Sequence, residues 1–191
     1  TLEKKTDETE FDEQIRQAAP ALGFFEMINN PLQSESDAML TGNPIKIANP
    51  LSTDMECLRT SLISGALITI SKNIKQGVKD LKLFEIGDAF KKINDGEIKA
   101  FSDFTETQNL LLVVSGKEQN KRWNTEEKDS DFYLLKGLIN SFLSKISLDN
   151  VLIDSYYSTA NEIYAYYLTK SFKDLELGIG GKLKNEVLKQ F

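Results

Sequence analysis

The chain has 191 residues, enough for about one domain of ordinary size, and its 40% hydrophobic and 27% charged residues fit a globular protein. Its net charge is −6, and of its 23 basic residues only Arg16, Arg59 and Arg122 are arginines, which excludes a main surface for gripping nucleic acid by clustered cations. Histidine is absent and Cys57 is the single cysteine, which excludes Ser–His and Cys–His nucleophile pairs, histidine acid–base chemistry, histidine metal sites and an internal disulfide.

A chain of this length can hide roughly 70% of its unfolded surface, so a full hydrophobic core is expected. There is no apolar run long enough to span a membrane and no basic-then-apolar leader. A reducing, intracellular setting fits the cysteine count. Thr1 begins the chain and Phe191 ends it inside a helical pattern, so both ends read as cuts from a longer protein. The expected organisation is a frayed end over 1–8 and a single domain over 9–191.

In chain order, Phe11, Ile15, Ala18, Ala19 and Leu22 recur at helical spacing, with Gly23 as the stop. Phe24 to Asn30 reads as a short apolar strand. Asn30-Pro31 marks a turn, Ser34 to Gly42 a polar connection with room for one helical turn, and Pro44 to Leu51 an extended stretch. A helix is expected from Asp54 or Leu58 to Lys75, burying Leu58, Leu62, Ala66 and Ile70, flanked by Ile63 and Leu67, and ended by Gly77. Leu81 to Phe90 reads as a strand buried on both faces. Asn94-Asp95-Gly96 signals a hairpin with Glu97 to Phe101 as the return strand.

Asn109 to Ser115 is a continuous apolar run, read as a central strand. A polar loop covers Gly116 to Ser130. The helix Asp131 to Ile146 carries Phe132, Leu135, Ile139, Phe142 and Ile146 on one face. Val151 to Ser155 is a short strand. Ile163 to Leu168 and Leu175 to Ile179 should pair around Phe172-Lys173-Asp174, and Lys184 starts a last helix. Strands joined by tight turns, without regular alternation with helices, predict an α+β fold: an antiparallel sheet flanked by helices. We expect one sheet containing Leu81–Phe90, Asn109–Ser115, Ile163–Leu168 and Leu175–Ile179.

Four clusters suggest chemistry. Glu126, Glu127, Asp129 and Asp131 resemble a cation site, but the glycine of a calcium loop is replaced by Leu134; carboxylates enriched before and within a first helical turn, where they favour the dipole, are the better reading. Gly178-Ile179-Gly180-Gly181 fails as a phosphate loop, because Leu183 stands where the third glycine belongs and also follows Lys182 in place of Ser or Thr. A strand closely approached by its neighbour is the expected role. Lys72, Lys75 and Lys79 solvate a helix end and complement its dipole. Cys57 sits between acids, Asp54 and Glu56, and is expected to pack rather than react. We assign no catalytic, cofactor-binding or metal residue.

Asn49-Pro50-Leu51-Ser52, Leu58-Arg59-Thr60-Ser61-Leu62 and Leu83-Phe84-Glu85-Ile86-Gly87 with Phe90 occur in this order at close spacing. Gly23-Phe24-Phe25-Glu26, Trp123, Asp131-Phe132, Leu135-Lys136-Gly137, Gly178-Ile179-Gly180 and Leu183 extend the series. The ordered set, from about Glu10 to Lys189, resembles the catalytic-like domain of phenylalanyl-tRNA synthetase beta subunits. Many bacterial relatives carry a His-Pro-Gly-Arg-like segment before the closing strand and a Leu-His-Pro near its end. Here those regions read Ser155-Tyr156-Tyr157-Ser158-Thr159-Ala160 and Leu183-Lys184-Asn185.

The resemblance implies a class II aminoacyl-tRNA synthetase catalytic-like fold and a degenerate copy of the active domain. It implies an alpha subunit as partner, tRNA engaged through the parent complex, no membrane, a cytoplasmic heterotetramer serving protein biosynthesis, and ATP and magnesium as cofactors of that complex but none for this chain. Class II enzymes hold ATP through arginines and magnesium-bound carboxylates. Here Lys91 and Lys92 follow the Leu81–Phe90 strand, and no arginine lies near the closing glycines. A non-catalytic supporting module is therefore expected; the alternatives are an active amino-acid-activating ligase domain and an unrelated binding domain. Arg59 is expected to pair with Glu85, since an unpaired buried charge would be costly. The segment Phe11–Leu22 and Phe24–Asn30 is expected to help form the interface with the alpha subunit.

Overall fold

A computed structural model of the chain describes residues 8–94, 96–148, 152–156, 164–172 and 175–191. Its helices are α1 (Glu8–Ala18), α2 (Glu35–Met39), α3 (Ile63–Lys75), α4 (Phe132–Lys145) and α5 (Asn185–Leu188). Its strands are β1 (Phe25–Glu26), β2 (Leu32–Gln33), β3 (Ile45–Lys46), β4 (Cys57–Leu58), β5 (Leu81–Lys92), β6 (Phe104–Ser115), β7 (Lys117–Gln119), β8 (Lys128–Asp129), β9 (Leu152–Tyr156), β10 (Tyr164–Phe172) and β11 (Leu175–Leu183). Two compact units emerge: Thr1–Glu26, Asp80–Leu83 and Val114–Gln190 in one, Met27–Lys79, Phe84–Val113 and Phe191 in the other.

In the first unit α1 stops at Ala18 because Pro20 cannot donate within an α-helix; a 3-10 turn over Pro20–Leu22 follows. Gly23, at φ +85°, closes that turn with its N–H on the Pro20 carbonyl, as the sequence predicts. Ile15, Ala18, Ala19 and Phe24 are buried there, as are Phe142 and Ile146 of the α4 region and Val187 of α5. Asp131 caps α4, accepting the Leu134 N–H at 2.7 Å.

Strand β10 pairs antiparallel with β11, with Leu168 opposite Gly180 and Lys170 opposite Gly178. It also pairs antiparallel with β9, with Thr169 opposite Asp154. This hairpin is the one predicted; its turn residues, Lys173 and Asp174, and Val151 and Ile163 at the predicted strand ends, lie outside the described residues.

In the second unit the sequence expects α3 to start at Asp54 or Leu58, and the structure corrects this. Thr53–Met55 forms a 3-10 turn and Cys57–Leu58 a strand, paired antiparallel with both β2 and β3. Leu58 faces Leu32 and Ile45 in register, so its apolar spacing served a small sheet rather than the helix. Helix α3 then begins at Ile63, buries Ser64, Gly65, Ala66, Leu67 and Ile70 and ends at Lys75, with Gly77 at φ +90° just beyond it. Ser34 caps α2 by accepting the Asp37 N–H at 3.2 Å, which realises the helical turn expected between Ser34 and Gly42.

Strand order is β1–β5–β6 in one sheet and β11–β10–β9 in another, so the four strands expected in one sheet divide between two among the described residues. The consecutive buried residues Leu83, Phe84 and Glu85 make β5 the two-faced central strand of its sheet. Asn109–Ser115 lies in β6, at the end of that order rather than its centre. The return strand starts at Phe104, not Glu97, after a 3-10 turn at Phe101–Asp103 in which the Asp103 carboxylate takes the Lys99 and Ala100 N–H groups. Those local bonds bind the chain into a turn before it can extend. The polar stretch Gly116–Ser130 is not a plain loop: β7 and β8 pair antiparallel within it.

Candidate functional site

The densest polar chemistry in the second unit lies between β4, α3 and β5. Arg59 leaves β4 with its N–H on the Pro31 carbonyl at 2.8 Å, and its own carbonyl takes the Phe90 N–H at 2.9 Å. This backbone clamp aims the side chain at β5. Nη1 donates to Glu85 Oε1 at 2.7 Å and Nε to the Asp88 carbonyl at 2.6 Å. Both charged side chains are buried, Arg59 at 6% exposure and Glu85 at 2%.

Glu85 takes two more donors. Its Oε1 accepts the Asn29 N–H at 3.1 Å and its Oε2 accepts Asn29 Nδ2 at 2.7 Å. Asn29 Oδ1 in turn accepts the Thr69 hydroxyl of α3 at 2.7 Å. Thr69, Asn29, Glu85 and Arg59 thus form one continuous network, in which the buried charges are paired and hydrogen-bonded.

Two glycines make the network possible. A Cβ on Gly87 would stand 2.1 Å from Arg59 Nη2, and a Cβ on Gly65 would stand 3.0 Å from Asn29 Cβ. Gly87 is needed because the guanidinium occupies the space where a side chain would begin. A second tie anchors the start of α3: the Thr60 hydroxyl donates to the Ala38 carbonyl and lies 2.6 Å from the Thr41 hydroxyl, while Ser64 donates to the Asp37 carbonyl at 2.8 Å. The expected Arg59–Glu85 pair is present. Its partners Asn29 and Thr69 are not legible in the sequence, where only the turn at Asn30-Pro31 shows; Gly87 inside a strand is the one local signal of a close approach.

Chemically, the arrangement is closed. The guanidinium faces a carboxylate and a carbonyl of its own chain. It is an internal counter-charge, not an anion receptor. The other arginines are elsewhere. Arg16 Nε binds Glu26 at 3.1 Å in the first unit, and this pairing is the main cause raising the Arg16 guanidinium above its ordinary value. Arg122 is exposed at a hairpin tip.

The remaining clusters are brought to ordinary ends. Of the four acids, Asp131 alone caps α4; Glu127 is 2.6 Å from Lys117 across the β7–β8 hairpin, and Asp129 lies opposite Lys117 in register. The acids thus precede α4 as expected, and Asp131 is the one that bonds to its first turn. Gly178 and Gly180 lie in β11 as predicted, yet a Cβ on either would meet nothing within 4 Å. The close approach expected there is absent among the described residues. Lys72, Lys75 and Lys79 are exposed, the first two in the last turn of α3. Cys57 lies in β4, fully buried, and burial followed by the nearby Glu35 and Glu56 pushes its thiol above the ordinary value. Of the Phe11–Asn30 segment, Ile15, Phe24 and Met27 are buried, whereas Phe11 is 40%, Phe25 74% and Ile28 89% exposed.

The family model described as phenylalanyl tRNA synthetase beta chain CLM domain matches residues 1–191. The chain belongs to that family. A phenylalanine–tRNA ligase beta subunit of Chlorobium chlorochromatii is 30% identical over 187 residues, covering 95% of the chain and 23% of the relative. One from Chlorobaculum tepidum is 30% identical over 145 residues, covering 72% of the chain and 18% of the relative. This CLM domain thus spans about a fifth of the length of the curated relatives it matches. Among solved structures, a pyrrolysyl tRNA synthetase of Desulfitobacterium hafniense superposes with a TM-score of 0.67 at 15% identity, over 95% of the chain and 60% of that protein. The CLM domain therefore has the α+β catalytic-like fold of class II synthetases.

Proposed function

We propose that the chain is a non-catalytic, catalytic-like module of a phenylalanine–tRNA ligase beta subunit. It supports an alpha subunit that carries out ATP-dependent attachment of phenylalanine to tRNA. One observation carries this reading: Arg59, the only arginine in the core motifs, is consumed by Glu85 and the Asp88 carbonyl inside the domain. An ATP-holding class II site needs guanidinium groups that face the nucleotide. Lys91, which follows the β5 core, instead lies along Gly42, within 3.3 Å of where a Cβ there would stand. In this reading ATP, magnesium and tRNA are handled by the parent complex, in the cytoplasm.

The exposed apolar side chains Phe11, Phe25 and Ile28 supply contacts for the alpha subunit, since aromatic residues favour interface centres. Co-expression with an alpha subunit and sizing of the product test the proposal. A complex should form, and Phe25→Asp with Ile28→Asp should weaken it while the chain stays folded. Unchanged association would refute the interface. Failure of any complex to form would refute the supporting role.

A further inference from the structure

We propose that the tip of the β7–β8 hairpin is a stacking platform for an unpaired nucleotide of single-stranded nucleic acid, with Trp123 as the platform and Lys121 and Arg122 as phosphate contacts. Trp123 is 96% exposed. Arg122 and Thr125 exchange backbone hydrogen bonds, at 3.0 and 3.3 Å, so Trp123 and Asn124 form the turn itself. A tight turn favours Gly, Asn, Pro, Asp or Ser for conformational reasons, and an indole adds nothing to it. Here the indole neither builds the turn nor packs into a core.

The hairpin under it is tied down heavily. Asp80 takes the Lys117 N–H at 2.8 Å and Asn120 Nδ2 at 3.2 Å. Gln119 Nε2 donates to the Glu126 carbonyl at 3.2 Å. Lys117 pairs with Glu127 at 2.6 Å and Lys128 with Glu118 at 2.5 Å. A large apolar ring held out on a stiffened arm is preorganised for contact, because little freedom remains to be lost on binding.

The charges select the partner. The stem lysines are ion-paired, while Lys121 and Arg122, beside the indole, are exposed and join no ion pair among the described residues. An exposed indole that directly follows an exposed lysine and an exposed arginine in the chain offers a π face for a base and cations for its adjoining phosphates. Glu126, also exposed, opposes this locally, and the whole chain carries −6. The contact is therefore local and salt-sensitive, not a main binding surface. It does not rest on the alpha-subunit reading, and the two fail separately.

Trp123 is the only tryptophan of the chain, so its fluorescence reports on the tip directly. The probe is a short single-stranded RNA of mixed sequence, titrated at low salt into the whole chain, with a duplex of the same sequence as control. Saturable quenching by the single strand but not by the duplex is expected. By labelled-RNA anisotropy, Trp123→Ala should weaken binding about tenfold or more, while Trp123→Phe keeps most of it. Lys121→Gln and Arg122→Gln should each lower the salt dependence by about one unit of slope, and Glu126→Gln should tighten binding. Circular dichroism checks that each variant keeps its fold. Absence of quenching, or binding indifferent to Trp123→Ala, overturns the proposal. So does an effect of Trp123→Ala confined to association with the alpha subunit, which would make the tip a protein contact.

Discussion

Arg59 Nη1 and Glu85 Oε1 lie 2.7 Å apart in the interior of the second unit, joining β5 to the segment between β4 and α3. Glu85 also holds Asn29 by two hydrogen bonds, so the pair sits at the centre of a network rather than alone. Removing one partner would leave a buried charge uncompensated. Arg59→Met or Glu85→Leu alone should destabilise the chain by about 3–5 kcal/mol, read by denaturant unfolding. The double variant should cost clearly less than the sum. Additive losses would mean that the two side chains do not interact.

Gly87 gives an independent test of the same packing. Because its Cβ would stand 2.1 Å from Arg59 Nη2, Gly87→Ala should lower the melting temperature. The guanidinium is fixed by Glu85 and the Asp88 carbonyl and has no easy retreat. Adding Gly87→Ala to an Arg59→Met background should cost less than adding it to the wild type. An equal cost in both backgrounds would place the clash elsewhere.

Asp131→Ala should cost about 0.5–2 kcal/mol by losing the cap of α4, whereas Asp131→Ser or Asp131→Asn should retain most of the stability. Thermal unfolding of the three variants reads the difference. Equal losses in all three would indicate a role in charge rather than in accepting the Leu134 N–H.

Burial holds the Cys57 thiol neutral, its folded value being raised above the ordinary one. The neutral thiol's contribution is complete below the unfolded value and is lost as pH rises from there through the folded value, because the unfolded chain releases the proton first. Stability of the wild type should therefore fall more steeply between neutral and alkaline pH than that of Cys57→Ala, when both are measured by urea titration. Native Cys57 should also resist alkylation until the chain unfolds. Parallel pH profiles, with rapid native alkylation, would contradict its burial.

Elements with one job were legible in the sequence. Leu81–Phe90, Asn109–Ser115, the β10–β11 pair and α4 follow from periodicity and turn residues, and Gly23 and Gly77 stop their helices with positive φ. Segments where two patterns overlap were not. Leu58, Leu62 and Ala66 share a helical spacing, yet Leu58 belongs to a strand that finds partners in β2 and β3, two short segments distant in sequence. Glu97–Phe101 reads as a strand by its turn, but Asp103 captures the Lys99 and Ala100 N–H groups and delays extension to Phe104. The Arg59–Glu85 pair was predicted because two charges in apolar motifs need each other. Asn29 and Thr69 complete it through contacts that no local pattern encodes.

We propose that this catalytic-like domain does not by itself activate an amino acid. Phenylalanine-dependent exchange of pyrophosphate into ATP by the pure chain tests it most directly. With Arg59 turned inward onto Glu85, the expected result is exchange no faster than without protein, and exchange appearing when an active alpha subunit is supplied. Exchange by the chain alone, dependent on phenylalanine and removed by substitutions within the chain, would contradict it.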